Sequence, residues 1–365
     1  MKKKILIVVG TRPNFIKITR FKDIAHQHYP NLEIKIVHTG QHFNYEMADV
    51  FFQQLHIQPD FFLEIPPTSP ATQMGEIMIR LEKLIDETFY PDLMIVPGDV
   101  NSTFAAALTA NKKGILLAHL ESGLRSFDRN MPEEINRILT DEITDHYFIT
   151  EPSGVENLTK ENANGKMHFV GNTMIDTLVH FDTNIRNNQI ASELALVNDP
   201  FILMTIHRPS NVDAESDLKK LIQLIEDVSS RYKIVFPVHP RTIQRLEKFN
   251  LKDRFEAISN LIITESMGYF EFQNLVLNAS LIITDSGGIQ EESTFRQVPS
   301  LTLRQNTERP VTVDSGTNQL VTFSVKEILS LIDQIEQGSY KKGSIPEKWD
   351  GKATERILKI ISNIL

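Results

Sequence analysis

The sequence contains no cysteine among its 365 residues. Disulfides, thiolate nucleophiles and cysteine metal sites are therefore excluded. It also lacks an apolar run long enough to span a membrane. Positive charge is in deficit, since 38 Lys and Arg stand against 47 Asp and Glu, a formal net charge of −9. Because binding to phosphate backbones needs clustered cations, we predict neither a nucleic-acid partner nor a membrane partner.

Several motifs of cofactor sites and nucleophiles are absent as well. There is no G-x-G-x-x-G after a predicted strand, which disfavours a nicotinamide dinucleotide. The lack of a Walker G-x-x-x-x-G-K-[ST] and of a G-x-S-x-G elbow argues against a P-loop NTPase and an α/β-hydrolase. No H-E-x-x-H and no carboxylate pair of metal type stands out. The sequence thus predicts a site that uses neither a cofactor nor a metal ion.

The first residues look like the beginning of a secretory signal without completing one. Residues 1–4 are Met-Lys-Lys-Lys and precede the apolar segment 5–9, which Gly-Thr-Arg-Pro ends at residues 10–13. A signal requires a longer apolar region. We therefore predict a cytoplasmic protein.

Short apolar segments alternate with amphipathic helical patterns along both halves of the chain. This alternation predicts parallel, doubly wound sheets, and the length favours two domains. We expect an α/β protein with two Rossmann-like domains in tandem, at 1–170 and 171–350, and a helix at 351–365 that packs back on the first. Ligands would bind in the interdomain cleft, at the carboxyl ends of the strands. The predicted strands are 5–9, 33–38, 93–97, 115–119, 146–150 and 167–170, then 201–206, 233–238, 261–264, 281–284 and 300–303.

The stretch 284–292, Thr-Asp-Ser-Gly-Gly-Ile-Gln-Glu-Glu, follows an apolar strand and opens a helix. Gly287 and Gly288 let backbone amides approach a ligand, and a helix start offers free N–H groups to a phosphate. Glu292, one turn inside, is placed to accept hydrogen bonds from ribose hydroxyls. An ordinary tight turn between strand and helix is the alternative at this stage.

Other polar residues also follow predicted strands, where ligands of such sheets bind. Arg12 is either a surface residue or a phosphate ligand. Asp99 is either a helix cap or a cleft carboxylate, and Glu121 is either a solvated acid or a cleft acid. Glu133 lies in a predicted first helical turn, where an acid is favoured by the helix dipole alone.

Two histidines, His207 and His239, each follow a predicted strand of the second half. A lone histidine is more often structural than catalytic. Two of them facing one presumed cleft make a functional role more plausible.

Taken together, the motifs resemble the non-hydrolysing UDP-N-acetylglucosamine 2-epimerase family. The resemblance extends in order over almost the whole chain, which makes it far more specific than any single motif. It is carried by Gly10-Thr11-Arg12-Pro13, Thr39-Gly40-Gln41-His42, Gly98-Asp99, His119-Leu120-Glu121-Ser122-Gly123-Leu124-Arg125, Pro132-Glu133-Glu134-Ile135-Asn136-Arg137, His207-Arg208, His239-Pro240, the stretch 285–292 and Thr307-Glu308-Arg309-Pro310.

The resemblance implies a two-lobed fold of the glycosyltransferase-B type, a homodimer, and a UDP-sugar as substrate. It implies interconversion of UDP-GlcNAc and UDP-ManNAc through elimination of UDP to 2-acetamidoglucal and its re-addition, in support of polysaccharide synthesis. Such a route needs carboxylates to move a proton and cations or amides to stabilise the departing UDP.

The resemblance also implies roles for individual residues. Asp99, Glu121, Glu133 and His207 match catalytic positions, although the sequence does not say which acid removes the proton and which returns it. Substrate binding is implied for Arg12, Arg208, His239, Phe272, Ser286, Gly287, Gly288, Glu292 and Arg309, with Phe272 against uracil, and core packing is the alternative for Phe272. Gln41 and His42 match a possible regulatory site.

The chain departs from the family pattern in two loops. Asn14 replaces a common Glu, and Pro209-Ser210 replace Arg-Glu after His207-Arg208. The second change puts activation by an additional UDP-GlcNAc in doubt and is compatible with a modified UDP-sugar substrate. A glycosyltransferase of the same fold, a hydrolysing epimerase and an inactive nucleotide-sugar sensor are the alternatives. Three retained acids disfavour the first, Pro13 the second, and the intact acids with His207 the third.

Overall fold

The computed structural model of the chain describes residues 2–40, 45–197 and 199–365, apart from the side chains of residues 45–49. The chain divides into two compact units. Unit 1 consists of Met1–His180 with Glu347–Leu365, and unit 2 consists of Phe181–Pro346.

Unit 1 is built on a parallel sheet of seven strands within the described residues, in the order β3-β2-β1-β4-β5-β6-β7. Ile5–Val9 in β1 is buried without a break, as expected of a central parallel strand covered on both faces. The strands are β1 (Lys3–Val9), β2 (Leu32–His38), β3 (Phe61–Phe62), β4 (Leu93–Pro97), β5 (Leu116–Leu120), β6 (His146–Ile149) and β7 (Lys166–Phe169).

The helices of unit 1 place an apolar stripe on the sheet. In α4 the buried residues include Ile77, Leu81 and Ile85 at a spacing of four, and the Ser69 hydroxyl caps the helix by accepting from the Thr72 amide. The helices in this part of the chain are α1 (Arg12–Ile18), α2 (Phe21–His28), α3 (Tyr45–Leu55), α4 (Pro70–Glu87), α5 (Asn101–Lys112), α6 (Pro132–Glu142), α7 (Pro152–Lys160) and α8 (Thr173–His180).

Unit 2 repeats this plan with a parallel sheet of six strands among its described residues, in the order β10-β9-β8-β11-β12-β13. Its strands are β8 (Phe201–Thr205), β9 (Lys233–Pro237), β10 (Leu261–Thr264), β11 (Leu281–Thr284), β12 (Ser300–Leu303) and β13 (Asn318–Val321). Its helices are α9 (Asp182–Arg186), α10 (Ile190–Glu193), α11 (Pro209–Val212), α12 (Glu215–Ser229), α13 (Pro240–Lys248), α14 (Lys252–Glu256), α15 (Tyr269–Asn278), α16 (Gly287–Arg296), α17 (Pro310–Asp314) and α18 (Val325–Glu336).

The last helix, α19 (Ala353–Ile364), belongs to unit 1 and packs on α2 and α8. The Asp176 carboxylate in α8 accepts from the amides of Ala353 and Thr354 at 3.0 and 2.6 Å and so caps the start of α19. Helix α8 is fixed to unit 1 in turn, since the Thr177 hydroxyl donates to the Ile16 carbonyl at 2.6 Å. These contacts place residues 171–180 with unit 1, whereas the sequence-based boundary stood at 170.

The predicted α/β class with two parallel, doubly wound sheets is confirmed. In both sheets the strand order reverses beside the first strand, between β1 and β4 in unit 1 and between β8 and β11 in unit 2. Ligands of such sheets bind at the carboxyl ends of the strands at that point. Among the described residues, no helix combines the length and the apolar character that crossing a membrane requires.

Candidate active site

In unit 1 the carboxyl ends of the paired strands β4 and β5 carry two acids. Pro97 and Leu120 are partners in the sheet, and the Gly98 amide continues the ladder by donating to the Leu120 carbonyl at 3.0 Å. Asp99 and Glu121 therefore both lie within two residues of the ends of neighbouring strands. Gly98 has a φ of +70°, and a Cβ there would lie 3.2 Å from both the side-chain nitrogen Nδ2 of Asn14 and Nζ of Lys17. Glycine is thus required to bring this turn against α1.

Asp99 is held by a buried guanidinium. Arg137 in α6 donates from Nη2 to the Asp99 carboxylate and from Nη1 to Glu134 Oε2 at 2.6 Å. The Arg137 side chain is 2% exposed, while that of Asp99 is 24% exposed. The buried Arg137 guanidinium therefore orients the Asp99 carboxylate, which remains partly accessible to solvent. This combination suits a group that exchanges a proton with a bound molecule.

Glu121 is the more enclosed of the two acids. Its Oε2 forms an ion pair with Lys17 in α1, and the two side chains are 4% and 6% exposed. Its Oε1 is buried and has no hydrogen-bond partner among the described residues. The backbone at Glu121 adopts a φ of +74°, a strained conformation for a residue with a side chain. Strain and a spare acceptor are features that cluster at functional sites.

The two neighbouring glutamates of α6 have different environments. Glu134 is buried and accepts hydrogen bonds from the Ser126 and Phe127 amides, both at 2.9 Å, and from Arg137. Glu133 has an exposed side chain in the first turn of the helix. The structure does not bring Glu133 into hydrogen-bond contact with Asp99 or Glu121. Its catalytic assignment stays a prediction.

The loop after β1 places Arg12 at the first position of α1. Asn14 Oδ1 accepts from the Gly10 and Thr11 amides at 3.2 Å, and its Nδ2 donates to the Pro97 carbonyl at 3.2 Å. This ties the Arg12 turn to the end of β4. Partial burial lowers the pKa of Arg12, and within the described residues its guanidinium makes no hydrogen bond or ion pair. It is therefore available for an anion.

In unit 2, Asp285 organises the loop that carries His207. Its Oδ2 accepts from the amides of His207 and Arg208 at 2.9 and 2.7 Å and from the Asn211 side chain at 3.0 Å. Its Oδ1 lies 3.0 Å from His207 Nδ1. Burial alone would raise the pKa of Asp285, but His207 and the donors around it lower it. An ionised Asp285 thus orients the His207 ring, which is 40% exposed.

His239 lies beside His207, with their rings stacked at a centroid separation of 5.3 Å. It caps α13 by accepting from the Arg241 amide at 3.1 Å through Nδ1. Desolvation, followed by the charge of His207, lowers the pKa of His239. The structure therefore brings together the two histidines that were singled out in the sequence.

The predicted phosphate seat is the start of a regular helix, α16, with Ser286 as its N-cap. Gly287 and Gly288 form its first turn, where free amides and the helix dipole favour an anion. A Cβ on Gly287 would lie 2.9 Å from Glu308 Oε1 and 3.1 Å from Arg309 Nη1. The seat is therefore lined closely by charged side chains.

Those side chains form a buried cluster of two arginines and two glutamates. Arg304 Nη2 donates to Glu308 Oε2 at 2.8 Å, and Arg309 pairs with Glu308 and lies 2.8 Å from Glu291 Oε2. Arg309, a predicted substrate ligand, thus has two carboxylates against its guanidinium. Arg208, also predicted to bind substrate, is partly buried and held through its amide by Asp285.

Glu292 and Phe272 are both drawn into the interior of unit 2. Burial raises the pKa of Glu292 to about 7, and a hydrogen bond from Gln273 offsets part of that effect. Phe272 is partly buried and packs against the core cluster that contains Leu275 and Ile289. Core packing therefore accounts for at least part of the role of Phe272.

Three residues that hold the predicted site were not singled out in the sequence, and two predicted residues lie outside the described structure. Lys17, Arg137 and Asp285 had no assigned role, yet each holds a predicted catalytic side chain. A lysine within the apolar run Phe15-Ile16-Lys17-Ile18 was a usable signal, because a buried lysine needs a partner. Gln41 and His42 lie outside the described residues. Within the described parts of the chain, no three His, Asp or Glu side chains are grouped as a metal site.

The known proteins that this chain resembles include 2-epimerases of UDP-sugars. The sequence model of a family described as UDP-N-acetylglucosamine 2-epimerase matches residues 24–362. The UDP-N-acetylglucosamine 2-epimerase of Methanocaldococcus jannaschii is 39% identical over 367 residues, with 98% of this chain and 99% of the relative covered. The UDP-2,3-diacetamido-2,3-dideoxy-D-glucuronate 2-epimerase of Pseudomonas aeruginosa is 37% identical over 324 residues, with coverages of 87% and 88%.

A solved structure extends the similarity to three dimensions. The crystal structure of the M. jannaschii UDP-GlcNAc 2-epimerase, in complex with UDP-GlcNAc and UDP, matches this chain with a TM-score of 0.88 at 38% identity. The match covers 99% of each chain. The expected two-sheet architecture of glycosyltransferase-B type is thereby confirmed.

Proposed function

The chain belongs to the UDP-N-acetylglucosamine 2-epimerase family, and from that premise we propose that it interconverts UDP-GlcNAc and UDP-ManNAc. The observation that carries the proposal is the pair of acids at the ends of β4 and β5. Asp99 and Glu121 follow the ends of these neighbouring strands, and each is paired with a buried cation. Two carboxylates with different exposure suit a reaction that removes a proton and returns it.

The proposal assigns the proton at C2 of the sugar to unit 1. The sugar has no carbonyl next to C2, so that proton leaves only if the C1–O bond to UDP breaks as well. One carboxylate takes the proton, the C2–H electrons form the C1=C2 double bond of 2-acetamidoglucal, and the C1–O electrons leave with UDP. In the second half, a proton reaches C2 from the opposite face, and UDP adds back to C1. Atoms and charges balance without a redox step.

The departing UDP is assigned to unit 2. The amides of α16 behind Ser286, Gly287 and Gly288 are suited to the diphosphate, because an N-terminal helix turn stabilises negative charge. We assign to His207, whose Nδ1 lies against Asp285, the donation of a proton or hydrogen bond to the leaving oxygen. Glu292 is proposed to accept from the ribose hydroxyls. The location of the site in an interdomain cleft stays a prediction.

A modified UDP-sugar is the second candidate substrate. The loop after Arg208 carries Pro209 and Ser210 where the family pattern has Arg-Glu, and the P. aeruginosa relative is an epimerase of a UDP-2,3-diacetamido sugar acid. A change of the group at C3 leaves the C2 chemistry intact. Comparing kcat/KM for UDP-GlcNAc and for its 3-acetamido analogues decides between them.

Two further properties belong to the proposal. A homodimer follows from the resemblance, and sedimentation velocity at enzyme concentrations tests it. A cytoplasmic location is consistent with nucleotide-sugar substrates, and fractionation of cells that express the protein tests that.

The central experiment follows UDP-GlcNAc by NMR in heavy water with the purified protein. We expect UDP-ManNAc to form and deuterium to enter C2 of both isomers. A transferase or a sensor leaves C2 protonated, and a hydrolysing enzyme accumulates free UDP and ManNAc. Asp99→Asn and Glu121→Gln are expected to abolish the exchange while UDP still binds. Asp23→Asn, an exposed acid of α2 with an ion-pair partner of its own, is the control.

A further inference from the structure

His119 is a fully buried histidine of β5 that contacts the turn before Asp99. Its Nε2 lies 2.8 Å from the carbonyl oxygen of Gly98, and its Nδ1 lies 2.6 Å from Asp141 Oδ1. The ring therefore bridges the loop after β4 and helix α6. Neither contact is needed to continue the sheet, whose ladder is carried by backbone atoms.

The Gly98 residue is held at both of its backbone groups by β5. Its amide donates to the Leu120 carbonyl at 3.0 Å, and its carbonyl faces the His119 ring. That carbonyl and the amide of Asp99 belong to one planar peptide unit. Fixing the carbonyl therefore fixes the plane from which the Asp99 side chain leaves the backbone.

Asp141 is in turn held from several sides. Its Oδ2 accepts from the Gly123 amide at 3.0 Å and from Arg125 Nη1 at 2.7 Å, and Arg125 also pairs with Glu161 at 2.6 Å. Burial by itself would raise the pKa of Asp141, but His119 and Arg125 lower it. The carboxylate is thus ionised and acts as an acceptor.

The number of N–H groups on the His119 ring decides which of its two contacts are hydrogen bonds. Both ring nitrogens of His119 face oxygen acceptors, a carbonyl and an ionised carboxylate. A neutral imidazole carries one N–H, so both contacts are hydrogen bonds only when both nitrogens are protonated. Asp141 is the carboxylate against the ring, and Glu161 is a second carboxylate against Arg125.

We propose that His119, backed by Asp141, is a positioning residue that sets the orientation of the Asp99 carboxylate by donating from Nε2 to the Gly98 carbonyl. The inference rests on the proposed epimerase function, in which Asp99 is one of the carboxylates assigned to transfer of the C2 proton. His119 itself touches neither substrate nor reacting atoms in this scheme. Its effect is confined to the geometry of proton transfer, where a displacement of about 1 Å can cost about 100-fold in rate.

Two substitutions separate positioning from packing. In His119→Gln the side-chain amide nitrogen takes the place of Nε2 and can still donate to Gly98. In His119→Asn the amide takes the place of Nδ1, so the contact with Asp141 is kept and the donor to Gly98 is lost. Both variants put a neutral amide of reduced volume in the same buried site, which makes each the matched control of the other.

We expect kcat for C2 exchange to fall about 100-fold in His119→Asn and less than about 10-fold in His119→Gln. The Kd for UDP should be unchanged in both, because UDP is assigned to unit 2. The backbone amide signal of Asp99, read by transverse-relaxation-optimised NMR, should shift in His119→Asn and stay near its wild-type position in His119→Gln. Equal losses of kcat in the two variants, or wild-type rates in His119→Asn, overturn the proposal.

The amide readout keeps this inference separate from the proposed function. If the wild-type protein fails to exchange C2, the epimerase proposal fails, while the Asp99 signal still reports whether His119 holds the Gly98 peptide. An Asp99 signal that moves equally in both variants overturns the positioning role. If His119→Asn does not fold, Asp141→Asn, which removes the charge behind the ring, replaces it and is expected to shift the same amide. An unshifted Asp99 amide in that variant overturns the proposal.

Discussion

Lys17 and Glu121 form an ion pair in unit 1 in which both side chains are almost fully buried. The lysine stands in α1 and the glutamate directly after β5, so the pair fixes the first helix to the end of a central strand. Removing one partner of a buried pair leaves an unbalanced charge, whereas replacing both partners with uncharged side chains removes that charge.

Lys17→Met is therefore expected to lower the free energy of unfolding by about 3 kcal/mol, and Lys17→Met/Glu121→Gln should recover part of the loss. Urea denaturation followed by circular dichroism measures both. Lys83→Met is the control, because Lys83 is 72% exposed in its pair with Glu87, and such pairs contribute less than about 1 kcal/mol. A single variant as stable as the control would show that the pair contributes nothing.

Glu133 and Glu134 should separate catalysis from stability. Glu134→Gln removes the carboxylate that accepts from Arg137 and from two amides of the 126–127 turn. We therefore expect the free energy of unfolding to fall by about 2–3 kcal/mol. Glu133→Gln, at an exposed position, should keep the wild-type melting temperature and lose C2 exchange. Calorimetry and the NMR exchange assay test the two expectations. A Glu133→Gln variant that is destabilised but still exchanges C2 would contradict both expectations for that residue.

Gly287→Ala should weaken UDP binding. The added methyl group would approach Glu308 Oε1 to 2.9 Å, so the cluster or the first turn of α16 must shift away from the position that favours a diphosphate. We expect the Kd for UDP, measured by titration calorimetry, to rise about 10-fold, equivalent to about 1.4 kcal/mol. Gly75→Ala in α4, where a Cβ meets nothing within 4 Å, should bind UDP like the wild type. Equal affinities in the two variants would remove α16 as the seat.

Glu292 should make the stability of the protein fall as the pH rises. Burial raises its pKa from the usual 4.5 to about 7, so between these values the folded chain binds more protons than the unfolded chain. Its contribution to stability is complete below the unfolded value and is lost as the pH rises through about 7. The melting temperature of the wild type should therefore fall relative to that of Glu292→Gln, whose amide stays neutral, from about pH 5 to about pH 8. Glu256→Gln, at an exposed position of α14, serves as the reference, and a constant difference would refute the assignment.

Asp285→Asn should impair cleavage of the C1–O bond. The amide group cannot accept at both positions where Asp285 now faces donors and the His207 ring, so the His207 loop loses its anchor. Positional isotope exchange in UDP-GlcNAc labelled at the bridging oxygen measures bond cleavage directly, and we expect it to slow about 100-fold. Asp253→Asn in α14 is the matched control at an exposed position. Wild-type exchange in Asp285→Asn would exclude His207 from this step.

The fold was predictable wherever one segment carries its own signal. The apolar run Ile5–Val9 is buried throughout, and alternation with helices indicated parallel pairing. Two strands were missed. β3 has only the two residues Phe61–Phe62, and β13 begins with Asn318, whose buried side chain is satisfied by Thr302 at 2.6 Å and Gln290 at 3.1 Å. Both strands, β3 and β13, depend on partners elsewhere in the chain, and no local sequence pattern reveals those partners.

The site was predictable as a set of residue types after strands, but the partners of those residues were not. Resemblance pointed to Asp99, Glu121 and His207, and the structure adds the groups that orient them: Arg137, Lys17 and Asp285. Each partner lies on another element, between 38 and 104 residues away in the chain. Likewise, nothing in the string Pro132-Glu133-Glu134 shows that the second acid turns inward to Arg137.

The assignment of α19 to unit 1 has a consequence for synthesis of the protein. Ile357, Leu358 and Ile361 of this helix are fully buried, so the first Rossmann-like body lacks part of its interior until α19 has left the ribosome. The second body, Phe181–Pro346, is continuous in sequence. Although it is translated later, it is the one whose complete set of elements becomes available first, and nascent chains stalled before Ala353 should expose the unfinished interior to chaperones.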